Sequence, residues 1–222
     1  MIHRIKTFSL FLPLIGLLFI GGCSKQASPA EQAYTDMEKA AHEEKTFNDQ
    51  QKPLIQEEQK EQNLYNEIMA LDMKHFDQIS AKSEEALKSI KKRRTLIMKE
   101  KESIDQAEKV FEKAVPLLKE VKTGKSATYA KALINDMSNR KSAFQTLYKD
   151  YSDSLDQETA LFNLLKTKNL TVEKLQAQLD KVNNSYKKIN TDKDKFNNST
   201  NQFNQDKKNF YKSMNIMGKH SG

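Results

Sequence analysis

Apolar residues return every seven positions along the last quarter of this 222-residue chain. Leu175, Val182, Ile189, Phe196, Phe203, Phe210 and Met217 form one row, and Leu179, Tyr186, Lys193, Thr200, Lys207 and Met214 form the row between. A repeat sustained over six intervals predicts a helix over 171–217 that packs on neighbours in left-handed, coiled-coil fashion. Such a helix spans roughly 70 Å. Two lysines and a threonine degrade the second row, and the phenylalanines of the first compensate, since a large aromatic buries roughly 150–250 Å². The competing reading is an exposed aromatic ladder for stacking on sugars, with Phe196, Phe203 and Phe210 on the surface.

Upstream, Leu133, Met137, Phe144, Leu147, Tyr151, Leu155, Phe162 and Leu165 predict a helix over 127–166. It follows a turn in VKTGKSAT, where Gly124 suits a left-handed helix end and Ser126 or Thr128 suits the next cap. Thr171 and the Glu shortly after it resemble a helix-start signature. Phe76, Ile79, Ala86, Ile90, Ile97, Ile104, Phe111 and Leu118 predict a helix over 74–121, with a turn near Asp72. Tyr34, Met37, Ala41, Phe47, Leu54, Tyr65 and Ile68 predict a first helix over 30–70, opened by Ser28 and Pro29 and kinked or broken at Pro53. The expected fold is all-α: an elongated four-helix up-and-down bundle with coiled-coil-like packing, one domain over 30–217. Residues 23–29 read as a polar linker and 218–222 as a disordered tail.

The first 22 residues are of another kind. Arg4 and Lys6 precede an apolar run from Phe8 to Ile20, the pattern of a secretory signal peptide. The run is short for a membrane span. It ends in Ile20, Gly21, Gly22 and then Cys23, the only cysteine, which resembles the lipobox of bacterial lipoproteins. There a signal peptidase cleaves before a cysteine whose sulfur carries a diacylglycerol. The two glycines let the chain lie extended in a protease cleft, and the thiol is the one soft nucleophile available. Acyl chains contribute about 0.8 kcal/mol per buried methylene, so palmitate-type lipid on Cys23 would tether the mature protein to the cell membrane, outside the cytoplasm and facing the wall. A lone cysteine also excludes a disulfide within one chain, leaving helix packing to stabilise the fold.

Composition narrows the chemistry. Charged residues make up 30% and the hydrophobic set 37%, with six Gly, four Pro and no Trp. A thin core with few tight turns follows. The net charge of +7 falls to +5 without Arg4 and Lys6, and residues 181–222 hold nine Lys against Asp192, Asp194 and Asp206. Lys207, Lys208, Lys212 and Lys219 are candidate contacts for an anionic membrane surface. Lys91, Lys92, Arg93 and Arg94 are candidate contacts for teichoic acid or another wall polyanion. Export argues against nucleic acid as their partner.

TGKS lacks the earlier glycine and the strand of a phosphate loop. His3, His42, His75 and His220 form no paired metal-ligand spacing. No carboxylate pair sits in a predicted cleft, and no serine in a nucleophile elbow. The sequence therefore predicts no catalytic residue, no metal, and no cofactor beyond the covalent diacylglycerol.

With the lipobox, NEIMALDMKHFDQIS at 66–80, EKESID at 100–105 and the Phe repeat after NLTVEKL, the chain resembles the YkyA-like cell-wall-binding lipoproteins of Firmicutes from Cys23 to about Met217. The resemblance implies a four-helix up-and-down bundle on the outer leaflet, binding peptidoglycan or teichoic acid or serving as an envelope adaptor. It carries over no catalytic or binding residues. Two alternatives stand beside it: a bundle that captures a small ligand or metal with residues such as His75, Tyr151 or Tyr186, and a self-associating coiled-coil scaffold.

Overall fold

A computed structural model describes residues 27–215. The order is α1 (Pro29–Glu43), α2 (Lys45–Met69), a 3-10 turn (Met73–His75), α3 (Phe76–Glu120), α4 (Gly124–Leu165) and α5 (Val172–Ser213). No strand occurs among the described residues. Each start has a local cause. Ser28 caps α1 in a reciprocal box: its Oγ accepts from Glu31 N–H at 3.3 Å, and Glu31 Oε2 accepts from Ser28 N–H at 2.9 Å. Asp72 Oδ1 accepts from Lys74 N–H at 2.9 Å at the turn into α3, and Thr171 Oγ1 accepts from Lys174 N–H at 3.4 Å at the head of α5.

Two local expectations need correction. The helix does not break at Pro53, since α2 runs on through it, and the interruption falls at Glu44 instead. Proline removes one amide donor, and buried Phe47 and Leu54 on either side hold the helix regardless. At Glu44 (φ −78°, ψ 0°) the amide turns back to Ala41 O, while the carboxylate takes two 2.7 Å hydrogen bonds from Arg140. Gly124 does adopt a left-handed φ of +68°, but Ser126 and Thr128 lie inside α4, where Ser126 Oγ donates back to Thr123 O at 3.0 Å.

Where the sequence leads to one bundle domain over 30–217, the packed residues gather into two units, each with its own apolar core. The first unit comprises Phe47–Lys101 and Leu147–Thr191, so α2, α3, α4 and α5 each supply one limb. Its core includes Ile68, Ile90, Ile97, Leu155, Phe162 and Ile189. Cross-contacts run antiparallel: Glu67–Lys82 at 2.5 Å and Glu57–Ser89 at 2.6 Å join α2 to α3, while Arg94–Asp156 and Lys166–Glu84 join α3 to α4.

The second unit draws on α1, Glu102–Thr146 and the chain from Asp192 on. Met37, Phe111, Leu118, Leu133, Phe203 and Phe210 are in its core. Phe196, Phe203 and Phe210 are only 1%, 8% and 0% exposed, so they are core and not a sugar-stacking ladder. Phe196 meets Phe144 with centroids 5.3 Å apart, and Phe203 meets Phe111 edge-on at 5.7 Å. The start of α1 lies on the end of α5, with Tyr34 and Tyr211 ring centroids 4.6 Å apart.

Phe210→Ala should lower the unfolding free energy by about 3–5 kcal/mol in urea titration. The exposed Val172→Ala should stay within about 0.5 kcal/mol. Equal effects at the two sites would contradict a core role for the phenylalanine row.

Candidate functional site

The seven-residue seams carry charged residues as well as apolar ones. Phe47, Leu54, Glu61 and Ile68 form one row on α2; Ile79, Ala86 and Arg93 follow one on α3; Phe144, Tyr151, Glu158 and Leu165 follow one on α4. In the first unit these polar members converge. Arg93 has no exposed side-chain surface. Its Nη1 donates to Glu61 Oε2 at 2.6 Å and also to Glu158 Oε2. Its Nε and Nη2 donate to Tyr151 Oη at 3.0 and 2.9 Å. Tyr151 Oη in turn donates to Glu58 Oε1 at 2.6 Å, and Ser154 Oγ donates to Glu158 Oε1 at 2.8 Å. Four of the five guanidinium N–H groups thereby meet an acceptor, and Nη2 lies 3.7 Å from Glu58 Oε1, which is what makes the burial tolerable.

Three carboxyl groups surround this single guanidinium, and they divide the roles. Burial, reinforced by the charge of Glu158, pushes Glu61 well above the usual carboxylate range. Burial works against ionisation of Glu158 too, but the Arg93 charge and hydrogen bonds from Glu61, Ser154 and Arg93 overcome it and hold that carboxyl low. Burial raises the phenols of Tyr151 and Tyr186 well above their ordinary range.

A cavity of about 110 Å³ opens beside this cluster, within the first unit. Glu61 and Tyr186 border it on the polar side, Leu161, Phe162 and Val182 on the apolar side. Tyr65 also lines it; that residue is 7% exposed, and its buried hydroxyl has no hydrogen-bond partner among the described residues. An unmet buried hydroxyl costs about 1–3 kcal/mol. Exposed Gln59 and Asn183 edge the opening.

The second unit has a parallel device. Arg140, in the row Leu133, Arg140, Leu147, clasps Glu44, donates from Nε to Thr200 Oγ1 at 3.0 Å and lies 5.1 Å over the Phe196 ring. Lys207 Nζ reaches Glu38 Oε1 at 3.3 Å, and Tyr211 Oη donates to the same oxygen at 2.9 Å. Asp136 faces Asp206, and burial with that neighbouring carboxyl raises it to about 6.

Two of the residues expected at a polyanion or membrane surface are turned inward, and Lys92 and Arg94 stay exposed but ion-paired. Arg93 is corrected outright, being at the centre of the buried cluster. Lys92 Nζ is tied to Glu57 Oε1 at 3.1 Å and Arg94 to Asp156 Oδ1 at 2.6 Å. Lys207 is turned inward onto Glu38, also a correction. Lys91, Lys208 and Lys212 are exposed. Ile20, Gly21, Gly22, Cys23 and Lys219 lie outside the described residues. Of the residues named for a ligand-binding bundle, Tyr151 and Tyr186 join the Arg93 cluster, whereas His75 is exposed with Nδ1 3.0 Å from Asp72 Oδ1. The basic run at 90–99 concealed Arg93's role, although its place two heptads after Ile79 marks it as a seam residue. Glu61 and Glu158 carry the same positional signal.

Arg93→Met should destabilise the fold by about 3–5 kcal/mol by stranding Glu158, and Arg93→Met with Glu158→Leu should recover much of that loss. Urea titration of both variants checks it; equal losses would contradict the pairing. Asp136 generates a pH signature of its own. In the folded chain it holds its proton to about pH 6, whereas unfolded aspartate releases it near pH 4. Its stabilising contribution is therefore complete below about pH 4 and lost as pH rises through about 6. Solvent screening of this half-buried group limits the effect to about 1 kcal/mol. Asp136→Asn should flatten stability between about pH 4 and 6 relative to the parent chain; superimposable pH profiles would count against it.

Comparison with known proteins agrees with this architecture. A crystal structure at 1.6 Å of a conserved protein of unknown function from Staphylococcus aureus superposes with a TM-score of 0.68 at 15% identity, over 84% of this chain and 97% of that one. At that identity the likeness speaks to fold alone. The protein named "Uncharacterized lipoprotein YkyA" of Bacillus subtilis (strain 168) is 35% identical over 170 residues, 77% of this chain and 76% of its own length. The YkyA family model matches residues 28–213. On these two sequence grounds the chain belongs to the YkyA family, whose description reads "Putative cell-wall binding lipoprotein".

Proposed function

We propose that the protein is a non-enzymatic surface lipoprotein, tethered to the outer leaflet of the cell membrane by a diacylglycerol on Cys23, whose helical bundle engages an anionic wall polymer of the teichoic acid type. The observation that carries this reading is Ile20-Gly21-Gly22-Cys23 at the end of a basic-then-apolar leader, in a chain whose family is described as cell-wall binding.

The packing supports it in two ways. The head of α1 lies on the end of α5, through Tyr34 with Tyr211 and Glu38 with Tyr211. The chain arriving from Cys23 thus enters the fold beside the stretch that carries exposed Lys208 and Lys212. The strong buried charges, Arg93 and Arg140, are matched by Glu61, Glu158 and Glu44, so they act in holding helices together, and exposed Lys91, Lys208 and Lys212 remain to meet an external polyanion.

The test is sedimentation of the full-length protein, in detergent, with purified wall sacculi that retain or lack teichoic acid. Retention should require the polyanion and fall steeply between about 0.1 M and 1 M salt, as the screening length drops from about 10 Å to about 3 Å. Lys91→Gln, Lys208→Gln and Lys212→Gln together should weaken it severalfold. Retention indifferent to teichoic acid and to salt, or no retention, overturns the reading.

A further inference from the structure

Within the second unit the start of α1, the turn between α3 and α4, and the close of α5 gather at one end. Arg140 of α4 meets both Glu44 of α1 and Thr200 of α5, and Tyr34 meets Tyr211, so α1 toward its start and α5 toward its close run the same way. Phe144 meets Phe196 where Arg140 meets Thr200; α4 therefore runs against α5, and its start lies at the close of α5. Residues 121–123 join α3 to that start, and Tyr34, Leu118, Ala130 and Phe210 share the core beneath. The surface of this end is basic. Lys119, Lys122 and Lys125 are exposed around the turn with no ion pair among the described residues, and exposed Lys212 adds to them from α5. Against them stand exposed Glu120 and also Glu31, whose carboxylate is taken up by the Ser28 cap.

We propose that this end is a docking face for an anionic bilayer leaflet, with Lys119, Lys122 and Lys125 set against the lipid phosphates. The inference rests on the Cys23 tether of the proposed function. Cys23 stands five residues before Ser28, and five residues span at most roughly 18 Å. Lipid on that cysteine therefore keeps the head of α1 within that reach of the leaflet, and the basic turn lies at the same end. A short tether holds its partners at an effective concentration on the order of millimolar, so a few weak contacts suffice. Screened charges attract over about 8 Å at physiological ionic strength, well inside the reach of the linker.

The chemistry of the face selects headgroup charge over acyl packing. Ammonium groups on flexible stems act as point charges toward phosphate. Between them lie Val121, which is half-buried against the core, and exposed Thr123 and Gly124. The large exposed apolar residues among those described, Met69, Met73, Met98 and Val172, all belong to the first unit, so this end has no wedge to insert. Contact is peripheral, and it requires phosphates whose charge is not cancelled within the same headgroup.

Footprinting of lysines with acetic anhydride tests it, on the full-length protein inserted into vesicles of phosphatidylglycerol mixed with phosphatidylcholine or of phosphatidylcholine alone. Mass spectrometry reads both the lysines and the Cys23 peptide. Lys119, Lys122 and Lys125 should react about fivefold more slowly on the anionic vesicles, measured against Lys109, which is exposed on α3 away from the turn. Salt at about 1 M should remove the difference, and Lys122→Gln with Lys125→Gln should restore fast labelling of Lys119. Equal labelling on the two kinds of vesicle, with lipid present on Cys23, overturns the docking and leaves the tether standing; a Cys23 peptide without lipid overturns both. Slow labelling produced by teichoic acid in detergent and not by anionic vesicles would assign this face to the polymer and overturn the proposal.

Discussion

A helix with only two seam positions in every seven residues cannot waste one, and this chain places arginine or glutamate at several of them. Arg93 is wholly buried between Glu61 and Glu158, and Arg140 is nearly so between Glu44 and Thr200. An arginine at such depth is tolerable only if each donor finds an acceptor. Sliding α3 by one turn would carry Arg93 away from Glu158 and strand both. Isoleucine layers such as Ile90 and Ile97 tolerate a slip far better, because one apolar contact replaces another. The polar layers thus select the register, and the apolar layers supply most of the burial around it.

That division bears on function. The most basic run in the sequence, at 90–99, spends its central arginine inside the first unit and pairs Lys92 and Arg94 with Glu57 and Asp156. Likewise Lys207 is drawn onto Glu38 and Tyr211. Among the residues expected at an anionic surface, Lys91, Lys208 and Lys212 stay exposed, a sparse set suited to screened, reversible contact with a polyanion.

Much of the fold was legible because it rests on spacing. The Phe196, Phe203, Phe210 row identified a buried seam, Ser28 with Pro29 marked the head of α1, and Gly124 marked the turn before α4. Pro53 misled because a proline's lost hydrogen bond is a local penalty, and burial of Phe47 and Leu54 outweighs it. The division into two cores was hidden, since periodicity is continuous along α3, α4 and α5 and does not report where apolar clusters close. The cavity site was only half legible: Tyr151 and Tyr186 stood in seam rows, but Glu61 and Glu158 looked like any other carboxylates in a chain that is 30% charged.

By itself the sequence determined the all-α class, the four-helix count of long apolar rows and the family, because each depends on residue type at fixed intervals along the chain. Only the tertiary structure decided which charges are buried, which helix each one meets, and that Tyr65 shares a cavity wall with Glu61 and Phe162. Those facts depend on distances between segments far apart in the chain, and a heptad specifies that a residue faces inward without specifying what it will face.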